Sequence, residues 1–172
     1  MKFLFELMLS MLMLTNGSTG EPITREDIQA YLTLHQLKYA DVKIVNDRSA
    51  LLVSVKGEHA RASILTKSSK NTLVLRPNEY VWKEDEEGVS VEQLGGYLCI
   101  AIHDKALSHK MDFVNIIYTD DNMVERKDRY YFNGKQALIM PIPKQKEHLV
   151  VAIYGNDGFI HDMIKHVPQA WK

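Results

Sequence analysis

The chain has a single cysteine, Cys99, among its 172 residues. No intrachain disulfide is open to it. A small secreted eukaryotic domain would often carry several, so if this protein is exported a bacterial envelope suits the count better. Cys99 lies in an apolar run with no charged or histidine neighbour in sequence, which describes a buried small hydrophobe better than a reactive thiol. An excess of charge of one sign is also missing. Basic and acidic residues number 21 and 22 and are interspersed, which removes the bulk electrostatic case for a nucleic-acid binder and leaves room only for a local basic patch. No apolar run reaches the roughly 20 residues that a membrane-spanning helix needs. There is no repeat of fixed period, no low-complexity tract, no G-x-S-x-G elbow, no phosphate-binding loop and no G-x-G-x-x-G. What remains is an ordinary globular mixture, 45% hydrophobic and 25% charged, long enough for one domain or two small ones.

The first twenty residues stand apart. Lys2 precedes an almost wholly apolar stretch from Phe3 to Leu14, and small polar residues follow (Asn16 to Gly20). A charged start, an apolar core of roughly 7–15 residues and a small-residue exit describe a secretory signal peptide. No cysteine follows that would carry a lipoprotein anchor. Glu6 inside the apolar stretch and the lone Lys2 fit a signal less well. The competing reading is a helix packed on the domain or on a partner subunit.

From residue 21 the chain reads as alternating strands and turns. Thr24 is an N-cap, and Glu26 and Asp27 suit the positive end of a helix over residues 25–37. Short β-forming runs over 42–45, 50–56, 60–66 and 72–75 follow, with Arg76-Pro77-Asn78 expected to break the last. A helix with a four-strand meander makes a small α+β unit over residues 21–82. Lys83 to Gly88 is the one acidic cluster. It does not match a calcium loop, so residues 83–96 read as an acidic linker. Six further strands are expected over 97–103, 112–118, 123–132, 137–142, 149–154 and 159–164. Asn133-Gly134 and Gly155-Asn156-Asp157-Gly158 mark hairpin turns, and the last three strands read as an antiparallel meander. Residues 159–167 also fit helical spacing, although the preceding turn favours a strand. The expected fold is therefore mainly β: an N-terminal helix and meander, then an antiparallel β-sandwich over 97–172 that is immunoglobulin-like in outline but lacks a Cys–Trp–Cys framework. The two parts could share one core.

Chemistry is harder to find. His103-Asp104 with His109, and His161-Asp162 with His166, are the closest approaches to metal-ligand clusters, and neither has the spacing of a zinc motif. No metal or other cofactor is expected. A Ser-His-Asp set assembled from Ser90 or Ser108 with His103 and Asp104 is a combination that any chain of this length offers. The aromatic residues are more suggestive. Trp82, Tyr130, Tyr131 and Tyr154 sit in or beside strands, and alternation puts Tyr130 and Tyr131 on opposite faces, so one should be exposed. Aromatic side chains on a rigid sheet suit recognition of a protein, peptide or glycan, and these four form the candidate binding surface. The reading is a non-enzymatic exported binding protein of the cell envelope or exterior, with no nucleic-acid partner and no span in the mature chain. A small hydrolase built around His103, Asp104 and His109, and an intracellular assembly protein using its apolar first helix, are the alternatives.

Overall fold

A computed structural model describes residues 20–83, 88–94, 96–120, 122–142 and 149–165. The leader over 1–19, the acidic residues 84–87 and the candidate His166 lie outside the described residues. The fold is mainly β and antiparallel, as the strand and turn pattern implied. By internal contacts the chain forms two compact units. One is Met1–Asp104 with Gln136–Pro141, and the other is Lys105–Lys135 with Ile142–Lys172.

The first unit begins with helix α1 (Arg25–Leu34). Thr24 Oγ1 accepts from the Asp27 amide at 3.1 Å, and Asp27 Oδ2 accepts from the Thr24 amide at 3.0 Å. Two of the helix's orphan donors are thereby satisfied reciprocally. The helix ends before residue 37 because Gln36 takes a positive φ of 53° and the Leu37 amide turns back to the Leu32 carbonyl. Ile28 and Leu32 then face the sheet. Burying each is worth roughly 1.5–3 kcal/mol.

Strands β1 (Asp41–Asn46), β2 (Ser49–Lys56), β3 (His59–Lys67) and β4 (Leu73–Lys83) form the expected meander in sequence order. One face packs Ala50, Leu52 and Leu65 on Ile23, Ile28 and Leu32. Alternate residues on the other face, Leu51, Val53, Ala60, Ala62 and Ile64, join a second core. This double burial explains why residues 49–53 are apolar almost without a break. Pro77 does not end β4. The register passes from Ala62↔Tyr80 to Ile64↔Arg76, so the extra residues are absorbed as a bulge on an edge strand, where proline is tolerated.

The partner of that second core is a sheet of β5 (Val89–Leu94), β6 (Tyr97–Ile102) and β9 (Ala137–Pro141), in the order β5-β6-β9. Leu94, Cys99, Ala101, Ala137 and Ile139 meet the face of the meander. The reading of residues 83–96 as a linker is therefore corrected: Val89–Leu94 is a strand paired to β6 from Val89↔Ile102 to Leu94↔Tyr97. The three-strand terminal meander is corrected too. β9 pairs with β6 and not with the strands on either side of it in sequence. Residues 137–140 are buried on both faces, and a strand apolar on both sides belongs next to β6, which is equally enclosed. With β6 and β9 in the first unit, residues 97–172 do not form a sandwich by themselves, and the immunoglobulin-like outline finds no support in these sheet orders.

Polar contacts bind the layers of the first unit. Asp41 Oδ2 accepts from the Ile139 amide at 2.9 Å, which joins β1 to β9. The Tyr97 hydroxyl donates to the Val45 carbonyl at 3.3 Å. On the helix side, the buried Lys67 ammonium reaches Asp27 Oδ2 at 2.7 Å and the Pro22 carbonyl at 3.0 Å. The Arg48 guanidinium donates to the carbonyls of Glu21 and Ser68. These two cations hold the segment before α1 onto the meander.

The second unit carries helix α2 (Lys105–Ser108) and one sheet of β7 (Met111–Thr119), β8 (Glu125–Tyr131), β10 (Leu149–Gly155) and β11 (Gly158–Lys165), in the order β11-β10-β7-β8. Residues 158–165 are strand, as the turn before them predicted.

The Lys67 clamp gives the first prediction. The Lys67 ammonium, and after it the Thr24 amide, hold the Asp27 carboxyl below its ordinary value. A depressed carboxylate stabilises the folded state at pH above its ordinary value of about 3.9, and that contribution fades as pH falls through the lower folded value. The unfolding free energy is expected to decline across that acid window in the wild type and to decline less in Asp27→Asn. Identical acid limbs for the two proteins in urea unfolding would remove the clamp from this account.

Candidate functional site: the stacked face of the second unit

In the second unit, strand alternation sorts the side chains into two faces. Val114, Ile116, Leu149, Val151 and Ile153 share one face and are buried. The other face carries Phe113, Asn115 and Ile117 from β7, with Val150, Ala152 and Tyr154 beside them on β10 and Lys127, Arg129 and Tyr131 on β8. The β7–β8 turn sets this arrangement. Asp120 Oδ1 accepts from the Asn122 and Val124 amides at 2.9 and 3.0 Å. Its Oδ2 accepts from Arg126 Nε at 2.8 Å. Arg126 and the two amides hold the Asp120 carboxyl below the usual carboxylate range. A turn fixed this way gives an unbroken register from Thr119↔Glu125 to Phe113↔Tyr131.

That register builds a stack around Phe113. The Tyr154 ring lies nearly parallel to it, with centroids 4.8 Å apart and 19° between planes. The Arg129 guanidinium carbon sits 4.1 Å from the Phe113 centroid. β8 and β10 flank β7 on opposite sides, so Arg129 and Tyr154 approach Phe113 from its two sides. Tyr131 meets Phe113 edge-on at 6.0 Å. Beneath the stack, Asn115, only 1% exposed, accepts from Arg129 Nε at 3.1 Å through Oδ1. The guanidinium is thus held by a buried amide and a ring face, while its terminal Nη groups have no hydrogen-bond partner among the described residues. By register the Arg129 row continues through Asn115 and Ala152 to Asp162.

Of the four aromatic residues singled out in the sequence, Tyr131 and Tyr154 come together on this face. Tyr131 is half exposed, at 50%. Tyr130 faces the opposite way and is partly buried, and loss of solvent pushes its phenol above the ordinary value. Trp82 is not a surface residue. At 5% exposure it belongs to the core of the first unit, opposite Ala60. Sequence reasoning missed Phe113, Asn115 and Arg129. Parity along each strand was available as a signal, since Arg129 and Tyr131 are two apart, as are Phe113 and Asn115. The pairing that brings the two strands' rows together was not.

The histidine candidates resolve differently. His103 is buried at 7% exposure in the first unit. Its Nδ1 lies 3.0 Å from the Gly57 carbonyl and its Nε2 lies 2.7 Å from Ser90 Oγ. A carbonyl only accepts, so Nδ1 carries the proton, and in the neutral ring Nε2 accepts from the serine hydroxyl. This tautomer suits a nucleophile in principle. However, Ser90 is only 5% exposed within β5, and a backbone carbonyl holds the position a triad carboxylate would take. Asp104 and His109 are both exposed, and they fall in different units. Among the described residues no group of three or more His, Cys, Asp or Glu could hold a metal ion, and no helix is long and apolar enough to cross a membrane. Compared with models of protein families, with curated proteins and with solved structures, the chain matches none.

These buried groups yield one prediction about stability and one about reactivity. Ser90→Ala leaves His103 Nε2 buried without its donor and is expected to cost roughly 1–3 kcal/mol, read from denaturant midpoints; a shift below the error of the measurement would show that the pair holds nothing together. Burial, with Asp41 and Glu92 nearby, pushes the Cys99 thiol far above its ordinary value. Cys99 is therefore expected to resist thiol reagents in the native protein at pH 8 and to react stoichiometrically in denaturant. Labelling at equal rates in both states would place it at the surface.

Proposed function

We propose that this is a non-enzymatic binding protein that acts outside the cytoplasm and engages its ligand through the stacked face of the sheet in the second unit. The observation that carries the reading is the fixed arrangement of Arg129, Phe113, Tyr154 and Tyr131, of which Arg129 and Tyr131 are exposed. Recognition sites gain from side chains whose conformational entropy is already spent, and a guanidinium locked on a ring and an amide is such a group. The half-exposed Tyr131 adds a flat, amphipathic surface beside it. The signal-like composition of the first twenty residues and the absence of any cysteine pair support a bacterial extracytoplasmic setting. The hydrolase alternative draws no support from His103, whose two ring nitrogens serve a buried staple.

Immobilised peptides and glycans, probed with the full chain and with Tyr131→Ser, test this reading. One ligand class is expected to be retained by the wild type and weakened at least about tenfold by the substitution, with the unfolding midpoint unchanged. Indifference of every retained ligand to Tyr131→Ser would overturn it. In the native host, fractionation with intact-mass measurement is expected to find a species outside the cytoplasm that begins near Ser18 to Glu21. A cytoplasmic species that keeps Met1 to Leu14 would overturn the export part.

A further inference from the structure

Strand β8 combines three features that point to one kind of ligand, and this inference rests on the binding face proposed above. The first is an open edge. β8 ends its sheet, and the Phe132 amide donates to the Asp112 carbonyl at 2.9 Å. That bond sets the phase of the ladder: Val114↔Tyr130 and Ile116↔Asp128 are hydrogen-bonded pairs, while Phe113↔Tyr131, Asn115↔Arg129 and Ile117↔Lys127 are not. The backbone N–H and C=O groups of Lys127, Arg129 and Tyr131 therefore point away from β7, where they have no backbone partner among the described residues.

The second feature is that these same three residues put their side chains on the stacked face, all of them exposed. Alternate residues of a strand lie about 6.7 Å apart. The edge thus offers Glu125, Lys127, Arg129 and Tyr131 at even spacing: one anion, two cations and an aromatic ring. The third feature is the fixing of Arg129. Charged side chains on an edge commonly serve to discourage pairing with other strands, but that task needs no particular conformation. The bonds from Arg129 to Asn115 and Phe113 hold it in one.

We infer that β8 is a receptor edge for an extended acidic peptide, which adds to the sheet as a further strand. Its carboxylates lie opposite Lys127 and Arg129, and an apolar or aromatic side chain lies opposite Tyr131. Main-chain hydrogen bonds to the open edge supply affinity, and alternate side chains supply the selection. The free Nη groups give Arg129 the fork geometry that grips a carboxylate through two bonds. A second copy of this chain is a poor occupant in the register that pairs the full strands, centred on Asp128, because antiparallel pairing of two β8 edges there sets Lys127 and Arg129 against each other. Antiparallel addition is the commoner arrangement, and it reads the peptide in the order aromatic, acid, acid, base at alternate positions.

The test is a titration of the full chain with a peptide as long as β8, seven residues, of sequence Phe-Thr-Glu-Thr-Glu-Thr-Lys. Three comparison ligands are used: the same composition with the glutamates adjacent, the same peptide N-methylated at the residues whose amides would meet β8, and a polyglucuronate. The alternating peptide is expected to bind saturably and to weaken steeply with salt. It should lose at least about tenfold with Arg129→Gln and with Lys127→Gln. The adjacent-glutamate and N-methylated peptides should lose about as much, and the N-methylation arm leaves the protein unaltered. Equal binding of the N-methylated peptide or of polyglucuronate would overturn the inference, since the surface would then read charge alone. So would dimerisation through β8 that competes with the peptide. If the peptide fails while another ligand class keeps its dependence on Tyr131, the edge inference falls and the binding face stands. If the Tyr131, Arg129 and Lys127 substitutions are silent for every ligand, both fall.

Discussion

A slip of one residue between paired strands would turn every side chain to the opposite face, so the contacts that fix strand register govern everything else in this protein. In the second unit that task falls to Asp120. One carboxylate collects two amides and a guanidinium within the β7–β8 turn. It thereby sets Arg129 against Asn115 and Tyr131 against Phe113. The stack on that sheet is a consequence of a turn several residues away. Were the strands one residue out of phase, Tyr130 and Asp128 would stand where Tyr131 and Arg129 stand, and the guanidinium would lose both its ring and its amide.

The first unit meets the same constraint by different means. Its strands are apolar on both faces through much of β2, β6 and β9, so hydrophobicity alone would tolerate several alignments. Polar contacts between layers break the degeneracy. Asp41 can accept from the Ile139 amide only if β1 and β9 lie at one offset. The bond from Tyr97 to the Val45 carbonyl adds a second tie between the two sheets, and His103 ties the β5–β6 hairpin to the turn at Gly57. Each is buried or partly buried, where an unmade hydrogen bond costs more than a made one contributes. These contacts act more as selectors among packings than as net sources of stability.

That division explains what could be read from the residues beforehand. Alternation and turn chemistry placed the first helix, the four strands after it and all six strands beyond residue 97, because those signals are local. Partners were not legible where the signal was global. Residues 137–140 follow an Asn-Gly turn and invite a hairpin with β8, yet their apolarity on both sides suits only an enclosed position beside β6. Residues 89–94 were hidden by the acidic run before them, although Val89 and Val91 already alternate with Ser90 and Glu92. Pro77 looked like a strand end because sequence does not reveal that β4 is an edge. The candidate site was half legible for the same reason: parity gave the opposition of Tyr130 and Tyr131, but only pairing brings Phe113 and Asn115 to Arg129.

The two polar arrangements with a reactive look, Ser90 with His103 and Arg129 with Asn115, separate on burial. Each pairs a donor with an acceptor at a distance of 2.7–3.1 Å, and each includes a residue almost without exposure. In the first, both partners are enclosed and every strong donor and acceptor of the imidazole is used, so the pair has nothing left to offer a third molecule. In the second, only the amide is enclosed. It spends one donor of the guanidinium to fix the remaining ones at an open strand edge. A buried group that consumes all its capacity holds a fold together, whereas one that orients an exposed partner prepares a surface. On that distinction the sheet of the second unit, and not the histidine, is the surface we propose for ligand binding.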